Sequence, residues 1–244
     1  MKRFLALALL AFAWMAPASA QAPTREAIEE IVRELIRREP EIVLDALEAL
    51  EKRRDAAQAQ QARRALAERR RELENDPDAP VAGNPRGTVV VVEFFDYRCP
   101  YCKRMHEPIR QMLAADRDVR VVRRDLPILG PASIVASRAA LASRAQGAAR
   151  YEAFHDAMMT ARGNLDEAGV FRIAREAGLD VERLRRDMEE PRVAALLRRN
   201  ADLAQALGLT GTPGYAIGEA LVPGAVDLAT LRSLVAEARV RAQR

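Results

Sequence analysis

An α/β fold with a helical insertion, carried behind a helical N-terminal arm, is what this sequence predicts. Three observations point to it. Val89 to Phe95 is apolar and rich in β-branched residues save for Glu93, and it runs into Cys99-Pro100-Tyr101-Cys102. That is a buried strand followed by a strand-to-helix turn. Residues 132–207 read as a run of short helices without a strand signal. Residues 24–74 have helical spacing but too few large apolar side chains for a core of their own.

The chain opens with Lys2 and Arg3, an uncharged stretch from Phe4 to Ala16, and the small-residue site Ala18-Ser19-Ala20. This is the pattern of an export signal, residues 1–20, cleaved after Ala20. The stretch is shorter than the roughly 20 residues of a spanning helix. A soluble periplasmic protein is expected. Its 39 Lys and Arg against 35 Asp and Glu give a formal net charge of +4, and two of those cations lie in the leader. Such a balance argues against nucleic acid as a partner.

The arm, residues 21–76, starts with Thr24 as an N-cap and an apolar stripe of Ile28, Ile31, Val32, Leu35 and Ile36. Pro40 interrupts it, and Val43, Leu47 and Leu50 continue the stripe. From Lys52 to Glu74 only Ala59, Leu66 and Leu73 keep a seven-residue spacing. The arm is expected to pack on the main domain or on copies of itself. A homo-oligomer through residues 24–74 follows, with a folded monomer left when they are deleted.

Pro77, Pro80, Gly83, Pro85 and Gly87 mark a linker, and the main domain is placed at residues 77–244. Thr88 to Phe95 reads as a strand, and Pro100 to about Ala115 as a helix kinked at Pro108. The alternation in Val119 to Arg124 predicts a second strand. Pro127 and Gly130-Pro131 then break the chain. The insertion, about 132–207, has breaks near Gly147, Gly163-Asn164, Gly178 and Pro191. Gly211 to Gly218 reads as a turn and strand, and Glu219 to Val222 as another strand turning at Pro223-Gly224. Asp227 caps a last helix to about Arg241.

Cys99 and Cys102 are the only cysteines. One C-x-x-C in an exported protein of this size is not a disulfide framework. Redox chemistry, a metal site and an inert local disulfide remain. Structural zinc takes four ligands, and His106 and His155, the only histidines, lie far apart in sequence. Redox chemistry is therefore preferred, with no metal ligand and no cofactor assigned. A copper- or zinc-binding envelope protein, its ligands shared between copies, is the reading from another class.

Pro100 suits the first helical position, so Cys99 sits where orphan N–H groups favour an exposed thiolate. Cys102, one turn on, can reach its sulfur and resolve a mixed disulfide. Glu93 interrupts an apolar strand. Burial would raise its pKa and let it shuttle a proton, or it pairs with an arginine at the strand end. His106 reads as a surface or helix-packing residue. Tyr151, Phe154, Met158 and Met159 read as core, with an apolar edge available to a peptide groove.

Val92 to Lys103 (V-E-F-F-D-Y-R-C-P-Y-C-K), Asp125 to Ser133 (D-L-P-I-L-G-P-A-S) and Gly211 to Tyr215 (G-T-P-G-Y) together resemble the DsbA-like branch of the thioredoxin superfamily. With its arm, the chain is more similar to the ScsC-like and Com1-like subgroup. The resemblance implies a thioredoxin fold with an inserted helical domain and a periplasmic thiol–disulfide oxidoreductase. It implies that Glu93 is the family's acidic residue and that Thr212-Pro213 forms a cis-proline loop facing the dithiol. Thr212 would then offer main-chain groups to an extended substrate. Pro100 and Tyr101 would tune the couple. The best-known DsbA oxidases have His where this chain has Tyr101, so a less extreme oxidant is expected. Implied partners are proteins with thiols or disulfides and a membrane redox partner, DsbB-like for an oxidase or DsbD/ScsB-like for a reductase. Both directions stay open: isomerase or reductase if oligomeric, monomeric dithiol oxidase if not.

Overall fold

Two runs of β-branched residues, one at Val89 and one at Val119, make the centre of a five-stranded sheet. A computed structural model describes residue 22, residues 24–163 and residues 165–242. The leader expected at residues 1–20 lies outside the described residues. The chain divides into two units, residues 1–53 and 54–244.

In the first unit, α1 (Arg25–Arg38) is capped by the Thr24 hydroxyl, which accepts from the Ala27 N–H at 3.3 Å. Helix α2 (Glu41–Glu68) begins just past Pro40 and continues into the second unit. Ile28, Ile31, Val32, Leu35 and Ile36, with Ile42, Val43, Leu44, Leu47 and Leu50, are all exposed. No residue of α1 is buried.

The second unit continues with α3 (Arg70–Asn75), β1 (Val81–Gly83), β2 (Val89–Phe95), α4 (Pro100–Ala115) and β3 (Val119–Asp125). The insertion is α5 (Pro131–Ser143), α6 (Ala148–Thr160), α7 (Glu167–Glu176), α8 (Val181–Asp187) and α9 (Pro191–Ala206), with one 3-10 turn at Arg144–Gln146. Then come β4 (Gly214–Ile217), β5 (Ala220–Pro223) and α10 (Leu228–Ala242), the last entered through Asp227, whose carboxylate accepts from the Thr230 N–H at 2.7 Å. The helix breaks fall where glycine and proline place them, and α4 runs on through Pro108. At Gly130, which turns the chain into α5, φ is 99°, a left-handed value that suits glycine.

The sheet order is β1-β3-β2-β4-β5. β2 runs parallel to β3 and antiparallel to β4, and β1 and β5 flank them antiparallel. Side chains along β2 alternate faces. Val90, Val92 and Phe94 join a core with Leu66, Leu73, Leu203 and Leu207. Val89 and Val91 face Met105, Ile109 and Met112 of α4 and Leu231 of α10. Phe95 enters a third core, built by the insertion, that also holds Cys99 and Cys102.

The structure revises the reading of the arm. The sequence drew it to residue 76 as one appendage, yet the division falls between Arg53 and Arg54. Ala62, Leu66 and Leu73 are buried, whereas Ala59 is exposed. The inward stripe of this stretch is therefore not the heptad of Ala59, Leu66 and Leu73, and it completes the sheet's own core. Strand β1 within the linker and the separate helix α3 were not expected. Short strands with glycine at one end carry little pattern.

Fully buried Arg124 ties this region together. Its guanidinium donates to Asp76 Oδ2 at 2.8 Å, Asn200 Oδ1 at 3.2 Å, the Leu73 carbonyl at 2.8 Å and the Glu72 carbonyl. Arg120 donates to the Glu74 carbonyl at 2.6 Å. Two arginines of β3 thus satisfy orphan carbonyls at the end of α3, where a cation is favoured. Arg124→Met is expected to destabilise the protein by roughly 3–5 kcal/mol, because it leaves a carboxylate and several carbonyls unpaired. The denaturation midpoint checks this, and an Asp76→Asn partner change should recover part of the loss.

Candidate active site

The end of β2, the turn after it and the start of α4 carry the two cysteines. Asp96 fixes that turn. Its carboxylate accepts from the Arg98 N–H at 2.8 Å and from the Leu129 N–H at 3.1 Å, and its carbonyl accepts from the Cys99 N–H at 3.0 Å. This is an Asx turn with a second arm holding a distant loop. Arg98 reinforces it by donating to the Leu129 carbonyl at 3.0 Å.

Cys99 is the N-cap of α4 and Pro100 its first residue. Both thiols are free. Cys99 Sγ donates to the Thr212 carbonyl at 3.2 Å, so the loop leading into β4 meets the dithiol. The Thr212–Pro213 peptide is cis. The carbonyl of Pro213 is occupied by the Gly224 N–H at 2.8 Å.

One expectation is corrected here. Cys99 is not exposed; only 4 % of its surface is open, because its sulfur turns inward to the Thr212 loop and joins the insertion core. Cys102 is fully buried, and burial pushes its thiol well above the ordinary cysteine range, with the charges of Glu93 and Cys99 adding to the rise. Pro100 and Tyr101 are exposed at the rim, where the Arg104 guanidinium lies 4.2 Å from the Tyr101 ring centroid. A cation thus stands over the residue read as unable to supply one.

Glu93 is buried and its carboxyl is pushed up to about 7 by desolvation, against the pull of Arg123 and a 3.5 Å hydrogen bond from the Tyr215 hydroxyl. Arg123 is its register partner on β3. That guanidinium is held by Glu152 at 2.7 Å, so Glu93 has no close ion pair to keep it charged. Two positions on, Asp125 is also buried and pushed up to about 7, by desolvation and by the charge of Asp96. Neither of its oxygens has a hydrogen-bond partner among the described residues.

His106 and His155 meet although they are far apart in sequence, their ring centroids 5.5 Å apart. Both are buried, so the surface role considered for His106 is set aside in favour of helix packing between α4 and α6. Tyr151, Phe154, Met158 and Met159 are core throughout and leave no open apolar edge. Exposed apolar surface instead comes from Ile128, Leu129 and Ile134, and Asp96 and Arg98 bring Leu129 to the dithiol turn. Asp96, Arg123, Asp125 and Leu129 were missed. The D-x-R of the turn was a usable signal for Asp96. The alternation in β3 predicts a strand but does not reveal that both of its faces are covered.

Comparison with known proteins accords with this geometry. Residues 90–236 match the DSBA-like thioredoxin domain, and residues 25–57 match the Copper resistance protein ScsC N-terminal domain. A solved thioredoxin-like oxidoreductase from Silicibacter pomeroyi is 54% identical, with TM-score 0.68 over 70% of this chain and 97% of that one. Proteus mirabilis ScsC in a transitional conformation is 32% identical, with TM-score 0.68 over 89% of this chain and all, 100%, of that one. Among curated relatives, a Na(+)/H(+) antiporter NhaA 3 of Salinispora tropica is 31% identical over 173 residues, 68% of this chain. The chain spans only 26% of that protein's length. No helix among the described residues is long and apolar enough to cross a membrane. With its dithiol, its Thr-Pro loop and its helical insertion in place, the chain belongs to the DSBA-like thioredoxin domain family.

Proposed function

We propose that this protein exchanges disulfides with exported proteins through Cys99 and Cys102, and works as an isomerase or reductase when its arm assembles copies of the chain. The observation that carries the chemistry is the placement of Cys99 at the start of α4, its sulfur on the Thr212 carbonyl and its partner thiol one turn behind.

The Cys99 thiolate attacks one sulfur of a substrate disulfide. A Cys99–substrate disulfide forms and the other substrate sulfur leaves as a thiolate. Cys102 then attacks Cys99 Sγ and gives up its proton to the Glu93 carboxylate. The substrate sulfur leaves, the cysteines close into a disulfide, and the dithiol has supplied two electrons. If a second substrate thiol attacks the mixed disulfide first, the substrate is rearranged without net electron transfer. Thr212 presents its backbone to the extended substrate, while Pro100, Tyr101 and Leu129 form the contacted rim. Reduction by a DsbD/ScsB-like membrane partner would sustain either activity. Oxidation by a DsbB-like partner would make the protein a dithiol oxidase, and thiol trapping in the native compartment separates the two. The leader pattern of residues 1–20 supports a periplasmic site of action.

Assembly is supported by the exposed stripe of the first unit and its match to the ScsC N-terminal domain. Several sites on one assembly hold a misfolded chain at high effective concentration, which favours repair over simple oxidation.

Three outcomes are expected. In the Cys102→Ala protein, mixed disulfides accumulate through Cys99, seen by mass spectrometry after acid quenching; capture through another residue would refute the assignment. Glu93→Gln slows the resolving step by about a hundredfold at pH 8, and the inflection near pH 7 of the wild-type profile disappears. The sign follows from the raised acid: above its pKa the carboxylate can take the Cys102 proton, below it the group is already protonated. An unchanged profile would remove Glu93 from the reaction. Light scattering should find the full chain oligomeric and a form lacking residues 1–53 monomeric, with scrambled-disulfide repair lost and dithiol oxidation kept. The cut stops at 53 because Leu66 and Leu73 belong to the core.

A further inference from the structure

Three polar side chains that the redox chemistry leaves idle converge between α4 and α6. His106, His155 and Asp156 each place one ligand-type atom within 4.8 Å of the others. His106 Nε2 is buried and lies 3.2 Å from Asp156 Oδ1, yet it has no partner in hydrogen-bond geometry. His155 Nδ1 is 2.8 Å from the Tyr97 hydroxyl, which leaves Nε2 as its ligating nitrogen.

The chemistry of this set is that of a metal site. Each neutral imidazole has one ring nitrogen with a lone pair to give to a metal. Two imidazoles and one carboxylate suit a borderline divalent ion better than calcium or magnesium. The Tyr97–His155 hydrogen bond is the outer contact that orients a ligating histidine. Asp156 is 41% exposed at its side chain and opens the site to solvent. Zinc bonds of 2.0–2.1 Å space tetrahedral ligands about 3.3 Å apart. His106 and Asp156 already stand at that spacing, and the three ligand atoms all lie within 4.8 Å of one another. Glu107 on α4 adds negative charge nearby. Opposing it are Arg110, 4.0 Å from Asp156 Oδ2, and Arg123, whose charge is matched by Glu152 at 2.7 Å.

We propose that His106, His155 and Asp156 bind a borderline divalent cation, Zn2+ being the probe of choice, in a site separate from the thiols that pins α4 to α6 and leaves a coordination position to water.

The test removes the competing thiols. The full, untagged chain carrying Cys99→Ser and Cys102→Ser is titrated with ZnCl2 by calorimetry, and its melting is followed with and without the metal. One Zn2+ per chain and a raised melting midpoint are expected, since a ligand that binds only the folded form stabilises it. Loss of even an outer contact costs a metal site about 10–100-fold in affinity. Asp156→Asn in the same background should therefore weaken binding by at least about tenfold. Asp156 is partly exposed, so the variant keeps its fold, which circular dichroism verifies. Absence of binding in the thiol-free protein overturns the site, and so does an affinity unchanged by Asp156→Asn.

Discussion

Burial of β2 on both faces is the constraint from which the rest follows. All seven of its residues are covered. A strand hydrogen-bonded along both edges and shielded above and below has no water for any polar group it carries. The end of α2, α3 and α9 must therefore cover one face, and α4 and α10 the other. A carboxyl placed in such a strand holds its proton to about pH 7. The same strand aims the chain at the dithiol turn, so the position of the sulfurs and the unusual acidity of Glu93 share one cause.

Charges elsewhere in the interior are handled in two ways. Arg124 and Arg123 are matched, the first by Asp76 and carbonyl oxygens, the second by Glu152. Their role is architectural, since a buried pair adds little net stability but is costly to break. Glu93 and Asp125 are left without a close ion pair, and protonation relieves them. Of the two, Glu93 also acts through its charge on the buried Cys102 thiol, which burial keeps from ionising easily.

Much of this was legible in the sequence. The strand, the helix starting at Pro100 and the breaks at Gly147, Gly178 and Pro191 follow from local rules of backbone geometry. So does the placement of the two cysteines at a helix start. Contacts made over long sequence distances were not legible. Arg124 reaching Asp76, Asp96 holding Leu129 and His106 meeting His155 depend on how layers stack. The inward stripe of Ala62, Leu66 and Leu73 was misjudged for the same reason. A short alanine-rich face gains its burial from a neighbour the local pattern cannot name.

Lys103, next to the second cysteine, donates its ammonium to the Met158 carbonyl at 3.2 Å and the Ala161 carbonyl at 2.6 Å. These carbonyls end α6, so a side chain of the redox helix caps a helix of the insertion. The insertion is consequently not a removable ornament on an older core. Excising it, or grafting the dithiol helix onto a minimal scaffold, would strand a half-buried ammonium and uncap α6 at once. Module swapping within this architecture must carry Lys103 and the end of α6 together as a matched set.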